Sequence, residues 1–112
     1  MLHIDETSNT IQLTRGDTAR FSVPIDNETS GKEYVLSDND KLTFTIKKRV
    51  KDETPLLQKT VFGTILFHVK PEDTQGLSFG KYVYDIQLTT SDGDVYTVIE
   101  PSTFEILSEV TY

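Results

Sequence analysis

Hydrophobic and polar residues alternate along most of this chain with a period of two, which turns one set of side chains toward a core and the other toward solvent. Ile11 and Leu13 alternate with Gln12 and Thr14, and Ala19, Phe21 and Val23, followed by Ile25, form the next set. Leu42, Phe44 and Ile46 repeat the pattern in KLTFTIKKRV, ahead of a charged tip around Asp52-Glu53-Thr54-Pro55. Leu57 to Phe62 and Ile65 to Val69 give two more runs on either side of Gly63. The strongest strand begins at Gly80, with Tyr82, Tyr84, Ile86 and Leu88 on one face and Lys81, Val83, Asp85 and Gln87 on the other. Asp92-Gly93 predicts a hairpin, with Val95, Thr97 and Ile99 on the returning strand and Phe104 and Ile106 after Pro101. A helical period is nearly absent. Only Pro71-Glu72-Asp73 suits a helix start, predicting a single turn near 71–76. Between residues 26 and 40, turn formers surround Tyr34-Val35-Leu36, which reads as a small edge strand within a loop.

Short strands at this spacing, without helical crossovers, point to an all-β fold, an antiparallel sandwich of about 7–9 strands. Residues 1–112 fit one domain. GKYVYDI has the Gly-x-Tyr spacing of strand F in immunoglobulin domains, where a tyrosine hydroxyl anchors a corner on upstream backbone. Tyr82 is the candidate corner tyrosine, and Tyr84 stands where such domains keep their second cysteine. The expected architecture is therefore immunoglobulin-like.

Composition narrows the function classes. With 11 Lys plus Arg against 18 Asp plus Glu, the net charge of −7 repels phosphate backbones and anionic lipid, so neither nucleic acid nor membrane is an expected partner. Cysteine is absent, which removes disulfides, thiolate chemistry and the usual cysteine zinc site. MLHIDE has neither the basic nor the apolar stretch of a secretory signal, so synthesis and retention in the cytoplasm, or delivery within an assembly, is the expectation.

Candidate chemistry is sparse. Asp38, Asp40, Asp92 and Asp94 are oxygen ligands of the type calcium takes, but DNDK and DGD lack the glycine and downstream glutamate of a complete ligand loop, so they read as turns. His3 and His68 have no nucleophile elbow or phosphate-binding loop to work with. No catalytic, cofactor or metal site is expected. Arg15-Gly16-Asp17 is the tripeptide that extracellular proteins present to integrins, yet strand patterns close in on both sides of it. It reads as a structural turn in which Gly16 takes a positive φ and Asp17 bonds locally. At the ends, segments 1–9 and 107–112 carry apolar residues outside the core pattern, namely Leu2, Ile4, Val110 and Tyr112. These make them candidate docking arms.

Taken together, IQLTRGDTARFSV, LTFTIKK and GKYVYDIQLTTSDGDVYTV resemble, in order and spacing over residues 10–107, small β-sandwich domains of bacteriophage virions. The chain is similar to the N-terminal domain of the upper baseplate proteins of phages that infect Gram-positive bacteria, although it ends at Tyr112 without their helical linker and receptor-proximal part. The resemblance implies a non-enzymatic virion protein of the tail, baseplate, fibre or head decoration. Its implied partners are other virion proteins and copies of itself. The alternative expectation is an adhesive module for a host-surface glycan, with Tyr34, Phe62, Phe79 and Tyr96 as the rings to supply a sugar platform.

Overall fold

The computed structural model describes residues 2–5, 7–27 and 32–108. The fold is all-β with one short helix. The elements run β1 (Leu2–Asp5), β2 (Thr10–Thr14), β3 (Ala19–Ser22), β4 (Asp26–Asn27), β5 (Lys32–Glu33), β6 (Lys41–Lys47), β7 (Leu57–Phe62), β8 (Leu66–Val69), α1 (Pro71–Gln75), β9 (Gly80–Thr89) and β10 (Val95–Leu107). A large sheet has the order β1-β2-β10-β9-β6-β7, β3 pairs with β8, and β4 pairs with β5. All pairings are antiparallel except β2 with β10.

The alternation seen in the sequence becomes a two-layer core. Leu42, Phe44 and Ile46 of β6, Tyr82, Tyr84, Ile86 and Leu88 of β9, Phe104 and Ile106 of β10, and Ile11 and Leu13 of β2 are buried on one face of the large sheet. Ala19 and Phe21 of β3 and Phe67 and Val69 of β8 cover them from the second layer. Phe44 is at the centre: the rings of Phe21, Phe67, Tyr84 and Phe104 lie 5.5 to 6.0 Å from it. Each such pair adds about 0.5–1.5 kcal/mol beyond area burial.

Three expectations change. Tyr34-Val35-Leu36 is not a strand; the local ladder is Asp26–Asn27 with Lys32–Glu33, and the Tyr34 N–H bonds to the Ile25 carbonyl at 2.6 Å. The period on β10 breaks at register shifts between Thr97 and Ile99 and between Ile99 and Ser102. Val95 therefore lies opposite Thr89 on the outer face while Ile99 lies opposite Ile86 over the core, and Pro101 is accommodated at the irregularity. Residues 2–5 do not stand apart as an arm. They form edge strand β1, with Leu2 opposite Leu13 and Ile4 opposite Ile11, and both apolar side chains pack half-buried against this chain's own core. Val110 and Tyr112 lie outside the described residues.

Candidate docking surfaces

Arg15-Gly16-Asp17 closes the passage from β2 to β3. The Asp17 N–H bonds to the Thr14 carbonyl at 3.0 Å, and Gly16 has φ +84. Arg15 is not among the positive-φ residues, so this is a type II turn with its obligatory glycine at the third position. The turn is tied down on all sides. Arg15 N–H bonds to the Leu107 carbonyl at 3.0 Å. Gly16 N–H bonds to the hydroxyl of fully buried Thr74 at 2.9 Å. The Arg15 guanidinium lies 4.3 Å over the Phe79 ring and contacts the Leu77 carbonyl at 3.5 Å. Tyr82, at the start of β9, donates to the Ser78 carbonyl at 2.7 Å, the upstream backbone bond that defines a tyrosine corner.

At the other end of β9 and β10, Thr90 N–H bonds to the Asp94 carbonyl and Gly93 N–H to the Thr90 carbonyl, with Gly93 at φ +89. That is a three-residue loop with a type I turn and a glycine bulge. Asp40, buried, fastens this loop to its neighbour. Its carboxylate accepts from Ser91 N–H at 2.9 Å, Ser37 N–H at 3.0 Å and the Tyr34 hydroxyl at 2.8 Å. The Ser37 N–H, then the Tyr34 hydroxyl, hold the Asp40 carboxyl below its usual range against the opposing effect of burial. The same hydrogen bond is the main reason the Tyr34 hydroxyl is raised, with Tyr96 and Asp92 adding to it. Asp38, Asp92 and Asp94 are exposed around this tie, as are Val35 and Tyr96. Among the described residues, no group of three or more His, Asp or Glu is arranged to hold a metal ion.

The β6–β7 connection has the opposite charge. Asp52 closes a turn on Arg49: the Asp52 N–H bonds to the Arg49 carbonyl at 3.1 Å and the Arg49 N–H to the Asp52 carboxylate at 3.1 Å. Lys48, Arg49, Val50 and Lys51 are exposed on this tip, with Glu53 beyond them. Behind Val50 lies a depression of about 40 Å³ lined by Thr45, Lys47, Val83, Tyr84, Asp85 and Pro101. It is far smaller than the roughly 300 Å³ at which small-molecule sites begin.

Among the described residues, the two edges of the large sheet, β1 and β7, have backbone groups without a strand neighbour. They differ in protection. On β7, Lys59 points toward the interior and pairs with Asp73 of α1 at 2.6 Å, an inward charge of the kind that discourages a further strand from adding. Burial works to raise the Asp73 carboxyl, but Lys59 and the Lys70 N–H, 2.7 Å away, outweigh it and leave the group lowered. β1 is short, at four residues, and ends in the charged residue Asp5.

The rings that were candidates for a sugar platform have different surroundings. Phe79 lies under Arg15 and Tyr34 is half-buried on Asp40. Phe62, opposite Lys41, is on the outer face, whereas Tyr96 is opposite core residue Leu88. His3 pairs with Gln12 on the outer face, and His68 is opposite Arg20. Sequence reasoning missed the Asp40 tie because its partners, Tyr34 and Ser91, come from separate loops. It also overlooked the basic tip, although KKRVK is plain in the chain. No helix among the described residues is long and apolar enough to cross a membrane. No protein-family model matches this chain, and no curated protein is significantly similar to it.

Proposed function

We propose that this chain is a non-enzymatic structural or adaptor protein of a bacteriophage virion, a component of the tail, baseplate, fibre or head decoration. It works by docking to other virion proteins and to copies of itself. What carries the docking reading is the use made of the polar groups. Asp5, Asp40, Asp52 and Asp73 each accept backbone N–H bonds that close turns or cap α1. Exposed apolar residues and open strand edges lie at the periphery instead. Such a surface recognises protein by shape, charge and strand addition rather than by enclosing a small molecule.

The strand order supports an immunoglobulin-like assignment within the sandwich class. β10-β9-β6-β7 follows the order G-F-C-C′, and β3 beside β8 corresponds to B beside E in variable-type domains. Phe44, Tyr84 and Phe21 then occupy the region where antibody domains keep tryptophan and a disulfide. The virion assignment rests on the resemblance of residues 10–107. Its test is quantitative mass spectrometry of density-purified particles from the phage or prophage that encodes the chain. The expected result is a fixed copy number per particle; presence in the infected-cell lysate with absence from particles overturns the assignment.

A further inference from the structure

The two ends of the sandwich are complementary, and they are separated by the length of β6. That strand begins at Lys41, directly after Asp40, and ends at Lys47, directly before the basic tip. Seven residues of extended chain place the two ends about 20 Å apart. At the first end, Asp38, Asp92 and Asp94 are exposed around the buried Asp40 tie, with Lys41 the neighbouring cation. Val35, at 84 % exposure, and Tyr96, at 55 %, are the apolar groups there. At the second end, exposed Lys48, Arg49 and Lys51 flank Val50 in sequence, Val50 being 56 % exposed and the Lys48 ammonium lying 4.8 Å over the Tyr82 ring. Lys47 stands behind them, Asp52 is engaged by the Arg49 N–H, and Glu53 follows. This concentration of cations is set in a chain whose net charge is −7.

Both ends are held in shape before any partner arrives. The basic tip is closed by the two Arg49–Asp52 bonds, and the acidic end by the three bonds to the Asp40 carboxylate. Pre-formed surfaces of opposite charge, each with an exposed apolar centre, steer encounter and fix orientation at low ordering cost. The partner with both complementary surfaces is another copy of the same chain.

We propose that copies associate head to tail, the basic β6–β7 tip of one seated on the acidic end of the next, Val50 against Val35 and Tyr96. The contact is heterologous, so it propagates into a ring or an open row instead of stopping at a two-fold dimer. This proposal rests on the docking reading above and specifies one partner for it.

Sedimentation velocity of the purified chain tests it. Average mass should rise with protein concentration without a plateau at the dimer, and association should weaken about tenfold or more between roughly 50 mM and 500 mM salt, as the screening length shortens. Two charge-reversed proteins give the decisive arm: Arg49→Glu with Lys51→Glu, and Asp92→Lys with Asp94→Lys. Circular dichroism establishes that each retains the fold; if a pair of reversals unfolds the chain, Lys51→Glu or Asp92→Lys alone replaces it. Each variant should be monomeric by itself. Their mixture should associate again, because the intact basic tip of one variant meets the intact acidic end of the other and the two reversed ends are themselves of opposite charge. A wild-type chain that stays monomeric up to about 0.5 mM at low salt, where the charges are least screened, overturns the proposal. So do variants that associate as well as wild type, or a mixture that stays monomeric. If the chain is monomeric yet found in particles, self-association is wrong and the virion reading stands; if it associates but is absent from particles, the reverse holds.

Discussion

Replacing Thr74 by Val tests whether the Arg15-Gly16-Asp17 turn is a structural joint. Thr74 is fully buried on α1 and its hydroxyl accepts the Gly16 N–H at 2.9 Å. Valine keeps the shape and removes the acceptor. The Gly16 N–H then loses its partner at a half-buried position, which costs about 1–2 kcal/mol, between the net value of a hydrogen bond and the penalty for an unpaired buried donor. For a chain of this length, 1 kcal/mol moves Tm by roughly 4 °C, so a fall of about 4–8 °C is expected. The urea m-value should not change, since the same surface is exposed on unfolding. Hydrogen exchange localises the effect. The Gly16 amide should lose protection in Thr74→Val while the Arg15 amide, bonded to Leu107, keeps it; Thr74→Ser, which retains the acceptor, should keep Gly16 protected. Wild-type Tm with a still-protected Gly16 amide in Thr74→Val would refute the reasoning.

Phe44→Ala should cost about 3–5 kcal/mol by urea denaturation, because the ring contacts four others across both layers; a loss below about 1 kcal/mol would mean that the layers are not joined there. Asp40→Asn should be less stable than wild type at neutral pH. Since the folded Asp40 carboxyl is lowered from 3.8, its contribution is present above that value and lost as pH falls through the folded one, so the two melting curves should converge in acid. Tyr84 donates to the Asn9 carbonyl, and burial pushes its hydroxyl from 10.0 up to about 12. Its contribution is complete below pH 10 and disappears as pH rises through about 12. Tyr84→Phe should therefore be weaker at pH 7 but show a flatter alkaline limb, and a pH profile parallel to wild type would contradict the buried-phenol account.

Local chemistry was legible where one residue's neighbours in sequence decide its role. Alternation located β2, β3, β6, β7, β8 and β9, Pro71 located α1, and glycine marked the turns at 16 and 93. What remained hidden depends on partners far along the chain. Nothing near Ile11 announces that it lies parallel to Phe104. Leu2 and Ile4 alternate like any strand, but without a known neighbour they read as surplus; β2 gives them one. Lys59 sits in an edge strand at a position that faces inward, and only Asp73 on the approaching helix explains a charge there. The β10 bulges interrupt its long pairing with β9 between Thr97 and Ser102, ahead of the stretch from Phe104 to Leu107 where β2 joins it on the other side, a break that no period-two pattern expresses.

The parallel pairing of β2 with β10 also orders events in time. β2 emerges from the ribosome long before its neighbour β10, with β1 already there to pair with. The seam between β2 and β10 can close only after residue 104 is free to reach residue 11, a non-local closure of the kind that makes β-sandwiches fold in milliseconds to seconds. Until then β2 and β9 each expose a strand edge that a neighbouring nascent chain can occupy. Crowding during high-level synthesis is thus a hazard for this fold before it becomes an advantage for any assembly the finished domains build.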